Sequence, residues 1–358
     1  MGFSFSFARQ KELIGLDIGS GAIKLVQLKK SGKGYQLQKF GVKALDSELI
    51  VDGTVMDAGR VVSSIKELLA EQSVKVKDVA LSVSGHSVIV KKINVPAMSE
   101  EELEESIKWE AEQYIPFDIN DVNIDFHILG AADAQDGKDQ MGVILVAVKK
   151  DKLTEYTTLV TEAGLNPVVV DVDAFTLENM FGVNYDVREG EIVALVNIGA
   201  SVMNINILKG GTFTFTRDIS IGGNRYNEMI QREFNVSYEQ AERAKRTEQV
   251  EGIDPEALLN LINNLNVEIA SEVIRSFDYF KTTSTNENID RIIISGGASK
   301  VPNLVAHLSD KSGVPVDVAN PFGKVEVSQK LFDLDFIHEM APLAAVGVGL
   351  AIRRLGDR

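Results

Sequence analysis

The sequence predicts a two-lobed α/β fold made by duplicating one domain, and two observations carry that expectation. First, residues 13–28 (LIGLDIGSGAIKLVQL) and 193–208 (VALVNIGASVMNINIL) read as two copies of one hairpin: an apolar strand, a short turn with a glycine, and a second strand. At an offset of 180 residues Asp17 falls on Asn197, Gly19 on Gly199 and Leu28 on Leu208. Second, the segments after each hairpin recur in one order, a third strand, a helix and a later apolar strand, which marks an internal repeat. A chain of 358 residues is long enough for two lobes.

In the first half Tyr35–Val42 alternates as the third strand, Asp57–Glu71 places Val61, Val62, Ile65, Leu68 and Leu69 on one helical face, and Val79–Val83 is the apolar strand. Thr212–Ile219, Asn224–Phe234 and Arg291–Ser295 repeat these in the second half. Between the copies, residues 84–166 read as an inserted α+β subdomain. It holds a strand (87–94), a helix (99–114), two strands (123–129 and 142–148) around a polar loop (130–140), and a helix (151–163). The Ile115-Pro116 step ends the first of those helices, since a residue before proline avoids helical angles. The second half carries a helical insert at 237–247 and 255–282, the latter with Leu258, Ile262, Leu265, Ile269, Val273 and Phe277 as a buried stripe. A closing helix at 342–355 has Ala344, Ala345, Gly347 and Gly349, small enough for close packing. The expected segments are 1–83, 84–166, 167–222, 223–290 and 291–358, with FSFSF at 3–7 as a tail.

The bulk numbers exclude several classes. A formal charge of −15 argues against a nucleic-acid partner, which needs a basic face. With no cysteine there are no disulfides or thiolate metal sites, which suits a reducing compartment. No run approaches the roughly 18 consecutive apolar residues of a bilayer span, and MGFSFSFARQK has no secretory pattern. A cytoplasmic protein is expected. His86, His127, His307 and His338 are scattered without ligand spacing.

Gly19-Ser20-Gly21 is not a dinucleotide loop, because such a loop runs from strand into helix and Ala22–Leu28 continues as strand. In a hairpin turn, successive N–H groups form an anion nest instead. Lys24 adds a point charge for a phosphate, and Asp17 stands where Mg2+, through water, would bridge phosphates. One such turn is an ordinary hairpin; two, with Asn197, Gly199, Ala200 and Ser201 in the second, suggest a clamp around a phosphate chain. A third glycine site follows the strand Ile292–Ser295: the bare backbone of Gly296-Gly297, before Ser299, lets a flat ring such as adenine approach. Gly222-Gly223 is a second close-approach site. Glu242 and Lys245 share a helix face; they read either as a surface ion pair or as joint ligands of a ribose.

Together these segments resemble the actin-like ATPase superfamily of actin, heat-shock chaperones, sugar kinases and the division protein FtsA, over nearly the whole chain. The resemblance implies an actin-like (ribonuclease H-like) duplicated α/β fold around a nucleotide cleft. It implies phosphate loops at Leu16–Lys24 and Val196–Asn204, an adenosine loop at Ile293–Ser299, and connecting helices at Asp171–Phe181 and Ala341–Ala351. Within it, WEAEQYIPFDINDV (109–122), GLNPVVVDVDAFTLEN (164–179) and RDISIGGNRYNEMI (217–230) resemble the PilM family of type IV pilus assembly proteins. That likeness implies ATP and Mg2+ in the cleft and a groove beside the insert for the N-terminal cytoplasmic tail of PilN. It also implies coupling to the pilus motor, and a place at the inner membrane reached only through partners. Trp109, Tyr114 and Phe117 are groove candidates that also suit a core.

The second loop departs from the superfamily, which usually opens it with Asp where this chain has Asn197. Asparagine keeps an acceptor oxygen but has no charge and cannot take a proton. Asp17 and Asn197 are therefore catalytic candidates for weak hydrolysis at most, and Asn197→Asp is expected to raise it. Lys24→Ala, or a bulky residue in place of Gly296, is expected to cut ATP affinity. Asp171 and Asp173 are the other acids near the cleft. The alternatives are an FtsA-like division homologue, which ends in a basic amphipathic helix unlike AIRRLGDR, and a small-molecule kinase, which needs an acidic base that does not stand out.

Overall fold

The computed structural model describes residues 12–135, 138–284 and 287–354, with the backbone alone for 131–135 and 138; the FSFSF segment lies outside them. The first lobe opens with an antiparallel meander of β1 (Ile14–Ile18), β2 (Ala22–Ser31) and β3 (Gly34–Ala44). A small hairpin, β4 (Ile50–Val51) and β5 (Thr54–Val55), leads to α1 (Ala58–Glu71), whose first turn is capped by the Asp57 carboxylate accepting from the Arg60 N–H. Next, β6 (Asp78–Val83) lies parallel to β1.

The insert follows: β7 (Val88–Pro96), α2 (Glu100–Glu112), β8 (Val122–Gln135) and β9 (Lys138–Lys149), in a separate sheet of order β7-β9-β8. Ser99 and Glu102 cap α2 reciprocally, and its apolar stripe (Leu103, Ile107, Ala111) meets Ile93, Val143 and Leu145 of the sheet in a core of its own. The polar loop is shorter than expected: β8 and β9 run on into it, with Ala131 still paired to Met141. Trp109 is not core. It stands 79% exposed on α2, because the buried positions of that helix are Leu103, Ile107 and Ala111 and Trp109 falls on the opposite face. The next helix, α3 (Lys150–Glu162), leaves the insert and buries Tyr156, Leu159 and Val160 in the core of the first lobe. The chain then forms β10 (Asn166–Val172), parallel to β6, and α4 (Asp173–Asn184).

The second lobe repeats the plan with β11 (Ile192–Ile198), β12 (Met203–Lys209) and β13 (Thr212–Ile219). Three helices follow, α5 (Asn224–Phe234), α6 (Tyr238–Lys245) and α7 (Pro255–Thr283), and then β14 (Arg291–Ser295). Beyond α8 (Leu304–Ser312) and β15 (Val316–Val318), β16 (Val325–Glu326) returns to pair with β3 of the first lobe. The chain closes through α9 (Leu334–Met340), a 3-10 turn (Ala341–Ala344) and α10 (Ala345–Ala351). Leu334–Ala351 is long and apolar enough by composition to cross a membrane, but it is broken by that turn and 61% buried, as a core element is.

The two large sheets run β10-β6-β1-β2-β3-β16 and β13-β12-β11-β14-β15. Strand for strand, β3-β2-β1-β6-β10 answers to β13-β12-β11-β14-β15, with the same antiparallel meander and the same parallel extension. The duplication is thus a duplication of topology. Between the lobes α4 and α10 share a core with residues of both sheets, Val26 and Ala80 from one and Val193, Leu195 and Ile293 from the other. Their approach is bare backbone: a Cβ on Gly349 would sit 1.9 Å from the Thr176 carbonyl oxygen, and one on Gly15 would sit 2.4 Å from that of Gly347.

Candidate functional site

A cavity of about 1030 Å³ opens between the lobes. The turn after β1 and the turn after β11 face each other across it, so near that a Cβ on Gly21 would lie 3.0 Å from the Ala200 Cβ. Both turns close alike: the Gly19 N–H donates to the Ala22 carbonyl (3.1 Å) and the Gly199 N–H to that of Val202 (2.9 Å). The amides between them, Ser20, Gly21, Ala200 and Ser201, donate to no group among the described residues. Four unengaged N–H donors on two facing turns make a site for an anion.

The strand pairs behind the turns differ in chemistry. In the first copy Asp17 and Lys24 are cross-strand partners joined as an ion pair (2.9 Å). In the second, the same positions hold Asn197 and Asn204, joined amide to amide (3.0 Å). The substitution of Asp by Asn at 197 is therefore one half of a paired change. The second turn is braced from behind, as the Gly223 and Asn224 N–H groups donate to the Gly199 and Ala200 carbonyls (both 2.8 Å). A Cβ on Gly222 would strike those same carbonyls at 2.6 Å, so Gly222 supports the turn and does not line the cavity, whereas Gly223 does.

Gly296 and Gly297 also line the cavity, as do Phe336, Met340 and Leu343, and the Gly296 N–H donates to the Pro342 carbonyl (2.8 Å). Gly296 adopts φ +85° and lies against Ile198, where a Cβ would approach its carbonyl oxygen to 2.3 Å. A Cβ on Gly297 would meet nothing within 4 Å, so its backbone borders open space. Ser299 is buried behind, its hydroxyl donating to the Gly296 carbonyl (2.7 Å). Glu242 and Lys245 line the cavity as a bonded pair, with Lys245 only 11% exposed and also reaching the Gly223 carbonyl (3.4 Å). They are not a surface pair. Burial opposes ionisation of Glu242, but the Lys245 ammonium, and after it Asn227 and Arg246 donating to the same carboxylate, hold its pKa below the usual value.

Sequence reasoning left Asp173 open and missed the 82–87 loop, Tyr238, Met340 and Leu343, all of which line the cavity. Asp173 accepts from the Ser82 hydroxyl (2.6 Å); burial, and then the Asp17 carboxylate, push its pKa up to about 6. Asp171 faces away, paired with Arg353 (3.0 Å). Among the described residues no group of three or more His, Asp or Glu side chains is placed to hold a metal ion. Asp17 lines the cavity with its carboxylate on Lys24, near the Asp173 carboxyl.

A second cavity, of about 460 Å³, lies where the insert meets the second lobe. It is lined by four consecutive residues of β7 (Val88–Lys91), three of β13 (Thr216–Asp218), and Pro116 and Phe117. Successive strand residues point to opposite faces, so a consecutive run marks the edge of each strand. Both β7 and β13 are edge strands of their sheets.

The family model for type IV pilus assembly protein PilM matches residues 15–355. The solved PilM-PilN type IV pilus biogenesis complex superposes with a TM-score of 0.84 at 30% identity, covering 97% of this chain and 100% of that one. MreB 5 of Spiroplasma citri bound to AMPPNP shares the fold at a TM-score of 0.50 and 14% identity, covering 95% and 94%. The cell division protein FtsA of Bacillus subtilis (strain 168) is 23% identical over 86% of this chain and 78% of its own. The fold is actin-like, as the duplicated sheets imply.

Proposed function

The chain belongs to the PilM family of type IV pilus assembly proteins, and we propose on that premise that it is an ATP-binding scaffold of the pilus machinery. Its interlobe cleft takes ATP with Mg2+, and its second cavity takes the N-terminal tail of a PilN partner. The single observation that carries the nucleotide reading is the pair of facing turns with four unengaged amides. They are backbone donors without a protein acceptor among the described residues, and a phosphate between the turns would take them. Lys24 would pass from Asp17 to a phosphate while Asp17 turns to the hydrated Mg2+, so that both charges stay compensated. The ribose would lie at Glu242 and Lys245, and the base along Gly296-Gly297, where Met340 and Leu343 also line the cavity.

Hydrolysis would be slow. Asn197 cannot accept a proton and both ends of its amide are engaged, to Ser295 and to Asn204. Among the described acids lining the cleft, Asp173, with its pKa pushed up to about 6, is the one placed to take a proton near neutral pH. For the partner, the free edges of β7 and β13 suit an extended tail that adds backbone hydrogen bonds to a sheet. A PilN tail, rooted in the inner membrane, would hold this protein at the cytoplasmic face. Calorimetry with ATP and Mg2+ tests the reading: Lys24→Ala should weaken ATP at least tenfold. No heat from the wild type at millimolar nucleotide would overturn it.

A further inference from the structure

One row of polar side chains crosses the second lobe and ends on the first. Ser295, the last residue of β14 before Gly296, donates its hydroxyl to Asn197 Oδ1 (3.1 Å). Asn197 Nδ2 donates to Asn204 Oδ1 (3.0 Å), and Asn204 Nδ2 donates to Asp218 Oδ1 (2.9 Å). Asp218 Oδ2 accepts the backbone N–H of Gly85 (2.6 Å), in the loop between β6 and β7. The strand register confirms a single level: Ser295 pairs with Asn197, Asn197 with Asn204, and Asn204 with Asp218.

The direction of the row is fixed. As a carboxylate Asp218 only accepts, so Asn204 must present its Nδ2 there and its Oδ1 to Asn197. That turns the Nδ2 of Asn197 toward Asn204 and leaves its Oδ1 for Ser295. Each amide has one orientation that satisfies both neighbours. The row spans both cavities: Asn197 and Asn204 line the cleft and Asp218 the groove cavity, and the two cavities share Val83–His86 and Asp173. In the first lobe the same level runs Asp17, Lys24, Val42 and ends in an apolar side chain, so the duplicated copy has no such row.

We propose that this row is an interlobe relay, with Asn197, Asn204 and Asp218 as positioning residues that couple cleft occupancy to the 85–90 segment, and so to the groove edge of β7. It deepens the nucleotide reading and rests on it for its ligand. A nucleotide phosphate or water shell that accepts the second N–H of the Asn197 or Asn204 amide would hold those amides in the orientation that serves Asp218, and Asp218 holds the loop that leads into β7.

Hydrogen exchange on the full-length protein tests it, and a swap of side chains keeps the test clear of misfolding. Asn197→Asp places a carboxylate beside Asn204 Oδ1, so Asn204 must turn and lose Asp218. Without nucleotide, exchange of the 85–90 segment should then rise at least fivefold, although residue 197 does not touch it. Asn204→Asp, which sets two carboxylates side by side, should do the same. The double variant Asn204→Asp with Asp218→Asn restores every bond with the central carboxylate moved one strand, and should return exchange to within twofold of wild type. In the wild type and the double variant, ATP with Mg2+ should slow exchange at 85–90; in the single variants it should not. If Asn197→Asp leaves 85–90 unchanged, or the double variant fails to restore it, the relay is overturned. ATP that slows the turns at 19–21 and 199–201 but not 85–90 in the wild type also overturns the relay, and leaves the nucleotide reading standing. ATP that changes exchange nowhere in the wild type overturns that reading and the relay with it.

Discussion

Asp173 shows how a single side chain can trade stability for a ligand. Its carboxyl is buried at the start of α4 and faces Asp17, so ionisation is disfavoured twice and the pKa rises to about 6 from an unfolded value of about 3.9. The folded state therefore binds more protons than the unfolded one between those values. The stability this contributes is full below about pH 4 and is lost as pH rises through about 6. Glu178, raised to about 7 chiefly by burial, extends the same slope upward. Asp173→Asn should raise the thermal midpoint at pH 7.5 by a few degrees and leave it unchanged at pH 4. Midpoints measured across that range check it, and a lowered midpoint at pH 7.5 would refute it. Trp109 is the opposite case, an aromatic whose residue type suggested core and whose helical position put it outside. Trp109→Ala should change unfolding free energy by less than about 0.5 kcal/mol in urea titrations. Position on a helix face was legible in the spacing of Leu103, Ile107 and Ala111; residue identity misled.

At the scale of elements, the hairpins were legible because a strand, a glycine turn and a strand are local and recur at a constant offset. The observed register pairs Asp17 with Lys24 and Asn197 with Asn204, the same places in each copy. The β8–β9 hairpin was less legible, since pairing across the sheet carries Ala131 and Ala132 into strands that their polar surroundings do not announce. The closing helix was legible as small and apolar, but not its partner. Gly349 meets α4 so closely that a Cβ would overlap the Thr176 carbonyl, and backbone on both sides leaves nothing to rotate away. Gly349→Ala should therefore cost about 3 kcal/mol or more by forcing the two helices apart. Gly297→Ala, whose Cβ would meet nothing within 4 Å, should cost about 1 kcal/mol at most, so the comparison in urea separates close packing from a general loss of glycine.

At the scale of the molecule, what the sequence could not disclose is what the two lobes create together. The turns, the Gly-Gly strand end and the Glu242–Lys245 pair each had a local signature. Asp218 and the 82–87 loop had none, because their meaning lies in the Gly85–Asp218 contact between lobes. The hint available was chemical: Asn204, Asn206, Thr216 and Asp218 place polar groups on strands whose alternate positions are apolar, and Asn204 and Asn206 are buried. Asn206 is held by the Ala174 carbonyl on α4, a further bond between the second sheet and the connecting layer. Cleft and groove are built on the same loop, and wherever binding at one changes binding at the other, linkage requires the change to be equal in both directions. If ATP with Mg2+ alters the affinity for a PilN N-terminal tail peptide about fivefold, a coupling near 1 kcal/mol, the peptide must alter ATP affinity by the same factor. Titration calorimetry in both orders should return matching factors for the wild type and factors near one for Asn204→Asp. A peptide affinity indifferent to nucleotide in the wild type would mean that cleft and groove, though they share a loop, are energetically separate.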